Sequence, residues 1–348
     1  MLLTDYRALG RSGLIVSPLA LGTMTFGTAR WGSSDEESAQ VFGRYVDAGG
    51  NFIDTADVYA GGRSEELVGQ FLAERRLRDR VVLATKFGFN SSRGDPHAGG
   101  NGRKHIYQAL EGSLRRLKTD YVDLYWLHVW DMVTPVEEVL QTLGDLVRSG
   151  QIRYFGFSNM PAWYTTKAAT LARIHQVPGP VAAQLEYSLV ARGAEQEHIA
   201  AAHDGGLGIV PWSPLAAGFL AGTYTRTETG AAGQGRLSGP NPFGDSKFTE
   251  RNWSILSVLR ALADQLGRPP AQVALAWLSA QPGVASILIG ATTASQLQDH
   301  LASLELKLSP EELTVLSEAS ADPAQPHRLF SQALQRAVFG GTTVEGWH

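Results

Sequence analysis

The sequence predicts an α/β protein: one (β/α)8 TIM barrel over residues 1–348, with an N-terminal β-hairpin and a C-terminal helix and tail over the barrel mouth. Three observations carry that prediction. Eight short apolar runs recur along the chain, beginning near Leu19, Asn51, Val81, Val122, Ile152, Val181, Leu207 and Val284. Amphipathic segments with helix start and stop signals lie between them. Most of the runs are too uniformly apolar for half-exposed strands, so they read as parallel strands buried on both faces. A doubly wound sheet usually has fewer strands and a Gly-x-Gly-x-x-Gly after the first, which the stretch Leu19–Gly27 lacks.

The elements follow in order. Residues 1–18 form the hairpin: Tyr6–Leu9 and Leu14–Val16 flank the turn Gly10-Arg11-Ser12-Gly13. Ser34-Asp35-Glu36-Glu37 opens the first helix, Ser64-Glu65-Glu66 the second and Pro135-Val136-Glu137-Glu138 a later one. Gly49, Gly150 and Gly205 stand where helices should stop. One wide gap separates the seventh and eighth strands. It holds segment 218–250, rich in Gly, Ser, Thr and Pro from Gly218 to Asp245, which reads as a long loop on the top face. A loop of that length is uncommon unless functional. Segment 305–348 supplies a helix from about Ser309 to Ser320, then a tail with Pro323 and Pro326 and an apolar stretch ending in Trp347.

Composition narrows the function. The net charge of −4, from 30 basic and 34 acidic residues, offers no long-range field for nucleic acid or an anionic membrane. The absence of cysteine excludes disulfides, thiolate nucleophiles, iron–sulfur clusters and Cys-type zinc sites. Met1–Gly13 has charges and no apolar core of a secretory signal, and no apolar run approaches the ~18 residues of a spanning helix. A soluble, cytoplasmic protein is expected, with a small molecule as partner and neither nucleic acid nor membrane. The oligomeric state is not legible.

Barrel enzymes keep their chemistry at the C-terminal ends of the strands. The second strand ends in Asp54, with Tyr59 in the loop beyond; the third places Lys86 and the fourth His128. Singly, each has an ordinary explanation: a turn acceptor, a packing ring, a snorkelling cation, a satisfied core histidine. Jointly they place an ion pair and an imidazole beside a phenol. The ammonium should draw the Tyr59 pKa from about 10 toward neutrality. Such a phenol is a general acid in reduction and a general base in oxidation.

Other strand ends look like ligand contacts. Ser158, Asn159 and Gln184 supply hydroxyl and amide groups suited to a carboxamide, the alternative being helix capping ahead of Pro161. Trp212 offers a flat face to a flat ring, or simply packs in the core. Gly290–Leu297 places backbone N–H groups and hydroxyls at a helix N-terminus, a phosphate site. Met24, Phe26, Trp31, Tyr59, Phe89, His128 and Trp130 should line a substrate pocket, with Phe330 or Trp347 from the tail. Their aromatic content suits apolar or ring-bearing carbonyls.

The segments LGRSGLIVSPLALGTMTFG, NFIDTADVYAGGRSEELVG, LATKFG, DYVDLYWLH, IRYFGFSN, QLEYS, PWSPLAAGFLAG and ILIGATTASQL occur in this order. On them the chain resembles the aldo-keto reductase family across nearly its whole length. NSSRGDPHAGGNGRKHI resembles the aryl-alcohol-dehydrogenase-like branch, which is similar to potassium-channel β-subunits. The resemblance implies a catalytic set of Asp54, Tyr59, Lys86 and His128, with Tyr59 as proton donor, Lys86 and Asp54 tuning it and His128 orienting a carbonyl. It implies an extended NADP(H), with NAD(H) as the other possibility. The carboxamide would meet Ser158, Asn159 and Gln184, and the ring would stack on Trp212. Gly22, Thr23, Met24 and Asp54 count among the cofactor contacts. Ser213, Pro214, Leu215 and Gly218 would line the pyrophosphate beneath a covering loop, 218–250. Gly290, Thr292, Gln296, Asp299 and His300 would surround the adenosine phosphate, with Arg236 as the cation the loop folds over. Thr223, Thr292 and His300 stand where lysine, arginine and asparagine are usual, so a modest preference for NADPH is expected.

The implied activity is transfer of hydride between nicotinamide and an aldehyde or ketone, or the corresponding alcohol. The alternative is a nucleotide-sensing regulatory subunit with weak or vestigial reductase activity. A metal-dependent barrel hydrolase needs several ligands at the strand ends. His128 stands there alone with no His-x-His pair, so no metal is expected.

Overall fold

The computed structural model describes residues 1–227, 230–233, 235–239 and 247–322, together with Arg336 and Val338. Eight parallel strands form one sheet: β3 (Leu19–Gly22), β4 (Phe52–Asp54), β5 (Val82–Phe87), β6 (Val122–Leu127), β7 (Ile152–Ser158), β8 (Ala182–Glu186), β9 (Gly208–Trp212) and β12 (Ile287–Ile289). Each apolar run of the sequence is one of these strands. Sequential strands pair as neighbours, and β12 pairs back onto β3 with Ile287 opposite Leu19. A parallel bridge between Ile209 and Val284 brings the last edge to β9, which closes the sheet into a barrel.

The lumen is packed. Ala20, Phe52, Val82, Ala84, Leu124, Trp126, Ala182 and Val210 fill it from inside, joined by Leu9, Leu14 and Val16 from below. Those last three belong to the hairpin β1 (Arg7–Ala8) and β2 (Ile15–Val16), which stoppers the N-terminal end of the barrel. Gly10 in its turn has φ +62, and a Cβ there would stand 2.4 Å from the carbonyl oxygen of Val181, so only glycine fits. With the bottom plugged and the lumen full, the barrel itself offers a ligand its C-terminal rim.

The helices on the outer face are α1 (Asp35–Asp47), α2 (Arg63–Arg75), α3 (Arg103–Leu117), α4 (Val136–Arg148), α5 (Ala162–His175), α6 (His198–Gly205), α7 (Glu250–Leu266), α8 (Pro270–Ser279), α9 (Ala294–Leu301) and α10 (Pro310–Ala319). Ser34 and Ser309 make reciprocal capping boxes with Glu37 and Glu312, so α1 and α10 begin where the sequence places them. Two signals read differently. Ser64 does not cap α2; it is buried and donates to the Thr23 carbonyl oxygen at 2.8 Å. The left-handed residue ending α6 is Gly206, not Gly205.

The wide gap is more ordered than a plain loop. It holds a short hairpin, β10 (Thr225–Thr227) with β11 (Gly230–Ala232), and then the helices α7 and α8. Residues 228, 229, 234 and 240–246 of the expected covering loop lie outside the described residues, as does the expected closure of the mouth by the tail with Phe330 and Trp347. No helix among the described residues is long and apolar enough to cross a membrane.

Candidate active site

Strand pairing sets the site. Gly22 lies opposite Asp54, Asp54 opposite Ala84, and Lys86 opposite Trp126, so the ends of β3 to β6 meet on one rim. Asp54 and Lys86 are both fully buried and joined as an ion pair, Oδ1 to Nζ. The ammonium also donates to the Thr55 carbonyl oxygen at 2.8 Å. Gln184 Nε2 donates to the second Asp54 oxygen at 3.1 Å. A buried pair holds only when its remaining donors and acceptors are met, as they are here. Thr23 fixes the backbone of the pair: its N–H and its hydroxyl donate to the Asp54 carbonyl oxygen at 2.9 and 3.1 Å.

Lys86 Nζ lies 4.9 Å from the centre of the Tyr59 ring, and the His128 ring stands edge-on to the same ring at 5.8 Å. The four groups, drawn from three strand ends, thus share one point. Their electrostatics differ from expectation in one respect. Burial raises the Tyr59 pKa above that of an ordinary phenol; Lys86 and Arg236 pull it down while Asp54 pushes it up. A phenolate in this dry site costs more than one already-paired ammonium returns. Lys86 itself is held cationic: burial opposes its charge, but Asp54 and Tyr59 raise its pKa overall. Burial, opposed by Lys86, lifts the Asp54 carboxyl above its usual range. Burial and the Lys86 charge push the His128 imidazole well below its usual range, so it is neutral at pH 7. Its Nδ1 is buried with no hydrogen-bond partner.

The carboxamide candidates join this cluster. Asn159 Nδ2 donates to the His128 carbonyl oxygen at 3.0 Å, and its Oδ1 accepts from the Trp212 indole N–H at 3.0 Å. Ser158 is buried, with its hydroxyl 3.0 Å from Asn159 Nδ2. Capping does not explain these residues, because α5 starts from Pro161 with no side-chain cap. Asn159 and Ser213 both adopt positive φ, +54 and +53, and Ala216, Ala217 and Gly218 continue with +48, +56 and +92. Left-handed conformations at non-glycine residues cost energy and gather at ligand sites. Three of them, Ser213, Ala216 and Ala217, fall on the stretch Ser213–Gly218, which also holds Pro214 and Leu215 and which the sequence reading sets beside a pyrophosphate. Left-handed backbone on one side and a buried unpartnered imidazole nitrogen on the other fit an extended nucleotide across the rim.

At the far end, Thr293 caps α9 by accepting the Gln296 N–H at 3.2 Å. Thr292 gives both its N–H and its hydroxyl to Gln296 Oε1, at 2.9 and 2.8 Å. Gly290 faces open space, and Asp299 is exposed. Burial lowers the His300 pKa to about 4, with Asp299 opposing. The Arg236 guanidinium lies 4.5 Å from the Trp31 ring, where burial lowers its pKa and the Tyr59 charge opposes that shift.

The substrate-side aromatics divide. The exposed Phe89 ring stands edge-on to His128 at 4.8 Å, and Trp130 packs against Trp163 at 5.6 Å. Trp31 and Met24 are half-buried on the rim. Phe26, expected in the pocket, is fully buried against Phe71 at 6.3 Å and belongs to the core. Sequence reasoning missed the polar layer behind Lys86. There Glu65 accepts from Thr85 Oγ1 at 2.5 Å and from Arg116 Nε at 2.6 Å, with Asp57 beside it. Among the described residues no group of three or more His, Cys, Asp or Glu is placed to hold a metal ion.

Comparison with known proteins places this geometry among relatives. The model of the Aldo/keto reductase family matches residues 18–321. An uncharacterized oxidoreductase, YrpG of Bacillus subtilis, is 37% identical over 330 residues, 92% of this chain and 97% of its own. A probable voltage-gated potassium channel subunit beta of Oryza sativa subsp. japonica is 36% identical, over 88% of this chain and 94% of its own. Norsolorinic acid reductase B of Aspergillus parasiticus is 33% identical, over 96% of this chain and 89% of its own.

Proposed function

The chain belongs to the aldo/keto reductase family, and from that membership and the rim geometry we propose an NADP(H)-dependent oxidoreductase acting between an aldehyde or ketone and the corresponding alcohol. The observation that carries this reading is the buried Lys86 ammonium, held by Asp54 and set 4.9 Å from the ring of Tyr59, with His128 edge-on to the same ring. The nicotinamide supplies the hydride. Tyr59 supplies the proton to the carbonyl oxygen. Lys86 is charged before the reaction begins, so it stabilises the phenolate as it forms without reorganising. Asp54 and Gln184 hold that ammonium in place. Neutral His128 offers a hydrogen bond that orients the carbonyl.

Ser158, Asn159 and Gln184 would hold the carboxamide, Trp212 the ring and Ser213–Gly218 the pyrophosphate. Gly22, Thr23, Met24 and Arg236 would be further cofactor contacts, and Gly290, Thr292, Gln296, Asp299 and His300 would take the adenosine end. The raised Tyr59 pKa keeps the phenol protonated at neutral pH, which favours carbonyl reduction there over alcohol oxidation. Phe89, Trp130 and Trp31 suit an apolar, ring-bearing substrate. A cytoplasmic location fits the cysteine-free composition.

Purified protein should oxidise NADPH in the presence of simple aromatic aldehydes, followed by nicotinamide absorbance. Quenching of Trp212 fluorescence should give NADPH a dissociation constant on the order of tenfold below that of NADH. No turnover across a panel of aldehydes and ketones would sink the enzyme reading. Tighter binding of NADH would overturn the NADP assignment.

A further inference from the structure

The loop that carries Tyr59 is fastened at one point to the strand that carries Lys86. After β4 the chain turns outward, and the Asp57 N–H donates to the Lys86 carbonyl oxygen at 3.2 Å. Thr55 N–H donates to the Ala84 carbonyl oxygen at 2.9 Å, and Tyr59 N–H returns to Ala56 at 3.2 Å. Asp57 is therefore the last tie to β5 before the phenol.

Its carboxyl enters a polar pocket between the barrel and the helices. Oδ1 is buried with no hydrogen-bond partner, and the Val58 N–H donates to the group. Glu65 faces it from α2, Arg116 from α3 and Lys86 from β5, while Tyr125 of β6 borders the same space. Glu65 is fully buried and already engages Arg116 through one oxygen and Thr85 through the other. Lys86 is committed to Asp54. A charge on Asp57 would thus be a second buried anion with no cation of its own.

We propose that Asp57 is a positioning residue, which as a neutral carboxyl lets the Tyr59 loop seat against Lys86 and on ionising drives that loop away from Glu65. The inference rests on the reading of Tyr59 as proton donor. Burial and the Glu65 charge lift the Asp57 carboxyl to about 7, against Arg116 and Lys86. Tyr59 is held above the usual phenol range and His128 well below the usual imidazole range. Both shifts run away from neutrality, and Asp57→Asn decides whether a loss of reduction above pH 7 comes from Asp57.

The test is the pH profile of kcat for NADPH-dependent reduction of an aromatic aldehyde, with NADPH saturating. The intact protein should lose at least about fivefold of kcat between pH 6 and 8.5, with one ionisation near 7. Asp57→Asn fixes the neutral form and should raise kcat at pH 8.5 by about the same factor. Glu65→Gln removes the like charge that repels the ionised Asp57, so the decline should shrink. Fluorescence titration of NADPH should change little across the range, because the tie acts on the phenol. An Asp57→Asn variant with the same decline as the intact protein, beside an inactive Tyr59→Phe, overturns the positioning role and leaves the proton donor standing. A Tyr59→Phe variant that turns over normally overturns both.

Discussion

At the residue scale, the site is an arrangement of buried charges whose partners decide what each can do. Asp54 and Lys86 neutralise one another, so Lys86 offsets only part of the cost of burying the Tyr59 phenolate. That cost is why the expected fall of its pKa toward neutrality does not occur. The residue types were legible, because each stands at or just beyond a strand end. The direction of the shift was not, because desolvation depends on what closes over the ring. The Asp57–Glu65–Arg116 layer was also hidden, since Glu65 and Arg116 are 51 residues apart and meet only in space. His300 carries a prediction of this kind. Its folded pKa of about 4 lies below the ordinary 6.5, so the unfolded chain takes up a proton first as pH falls. The stability it contributes is complete above pH 6.5 and lost on descending toward 4. His300→Asn should flatten the acid limb of stability by roughly 1–3 kcal/mol, measured by urea unfolding at pH 7 and pH 4.5. An unchanged limb would mean that the imidazole is solvated in the native protein.

At the element scale, strands were read more easily than the segments between them. Uniform apolar runs bounded by Ser34, Pro135 and Gly150 leave few alternatives, and all eight strands fall where the runs begin. The wide gap was harder. Its Gly- and Pro-rich first half masked the helix that follows, although Thr249 caps α7 by accepting the Asn252 N–H. The run Ser213–Gly218 shows what sequence patterning cannot supply: four positive φ values at positions where only one residue is glycine. The start of α9 is fully ordered before any anion arrives, because Thr292 and Gln296 satisfy each other with neutral bonds. Thr292→Arg adds a cation there. It should tighten NADPH binding about tenfold, the difference between a charge-assisted and a neutral hydrogen bond, and leave NADH nearly as before. Fluorescence titration with both nucleotides measures this. Equal tightening for both would remove the 2′-phosphate from this end of the rim.

At the scale of the whole molecule, the barrel separates stability from chemistry. Hairpin, lumen and outer helices bury the apolar runs, and the stoppered lower end leaves the upper rim to hold the unlike groups together. Every strained backbone conformation between Asn159 and Gly218 named above, and every buried charge of the tetrad, lies on that rim. The central claim is that Tyr59 gives its proton to the substrate while Lys86 waits, already charged, beneath it. Replacing Tyr59 with Phe removes one hydroxyl and keeps the ring that packs against His128. Single-turnover reduction of an aromatic aldehyde by NADPH, with both variant and intact protein saturated in cofactor, tests this most directly. The account predicts that Tyr59→Phe binds NADPH nearly as well as the intact protein but transfers hydride at least about 10²-fold more slowly. Transfer at an undiminished rate would contradict it.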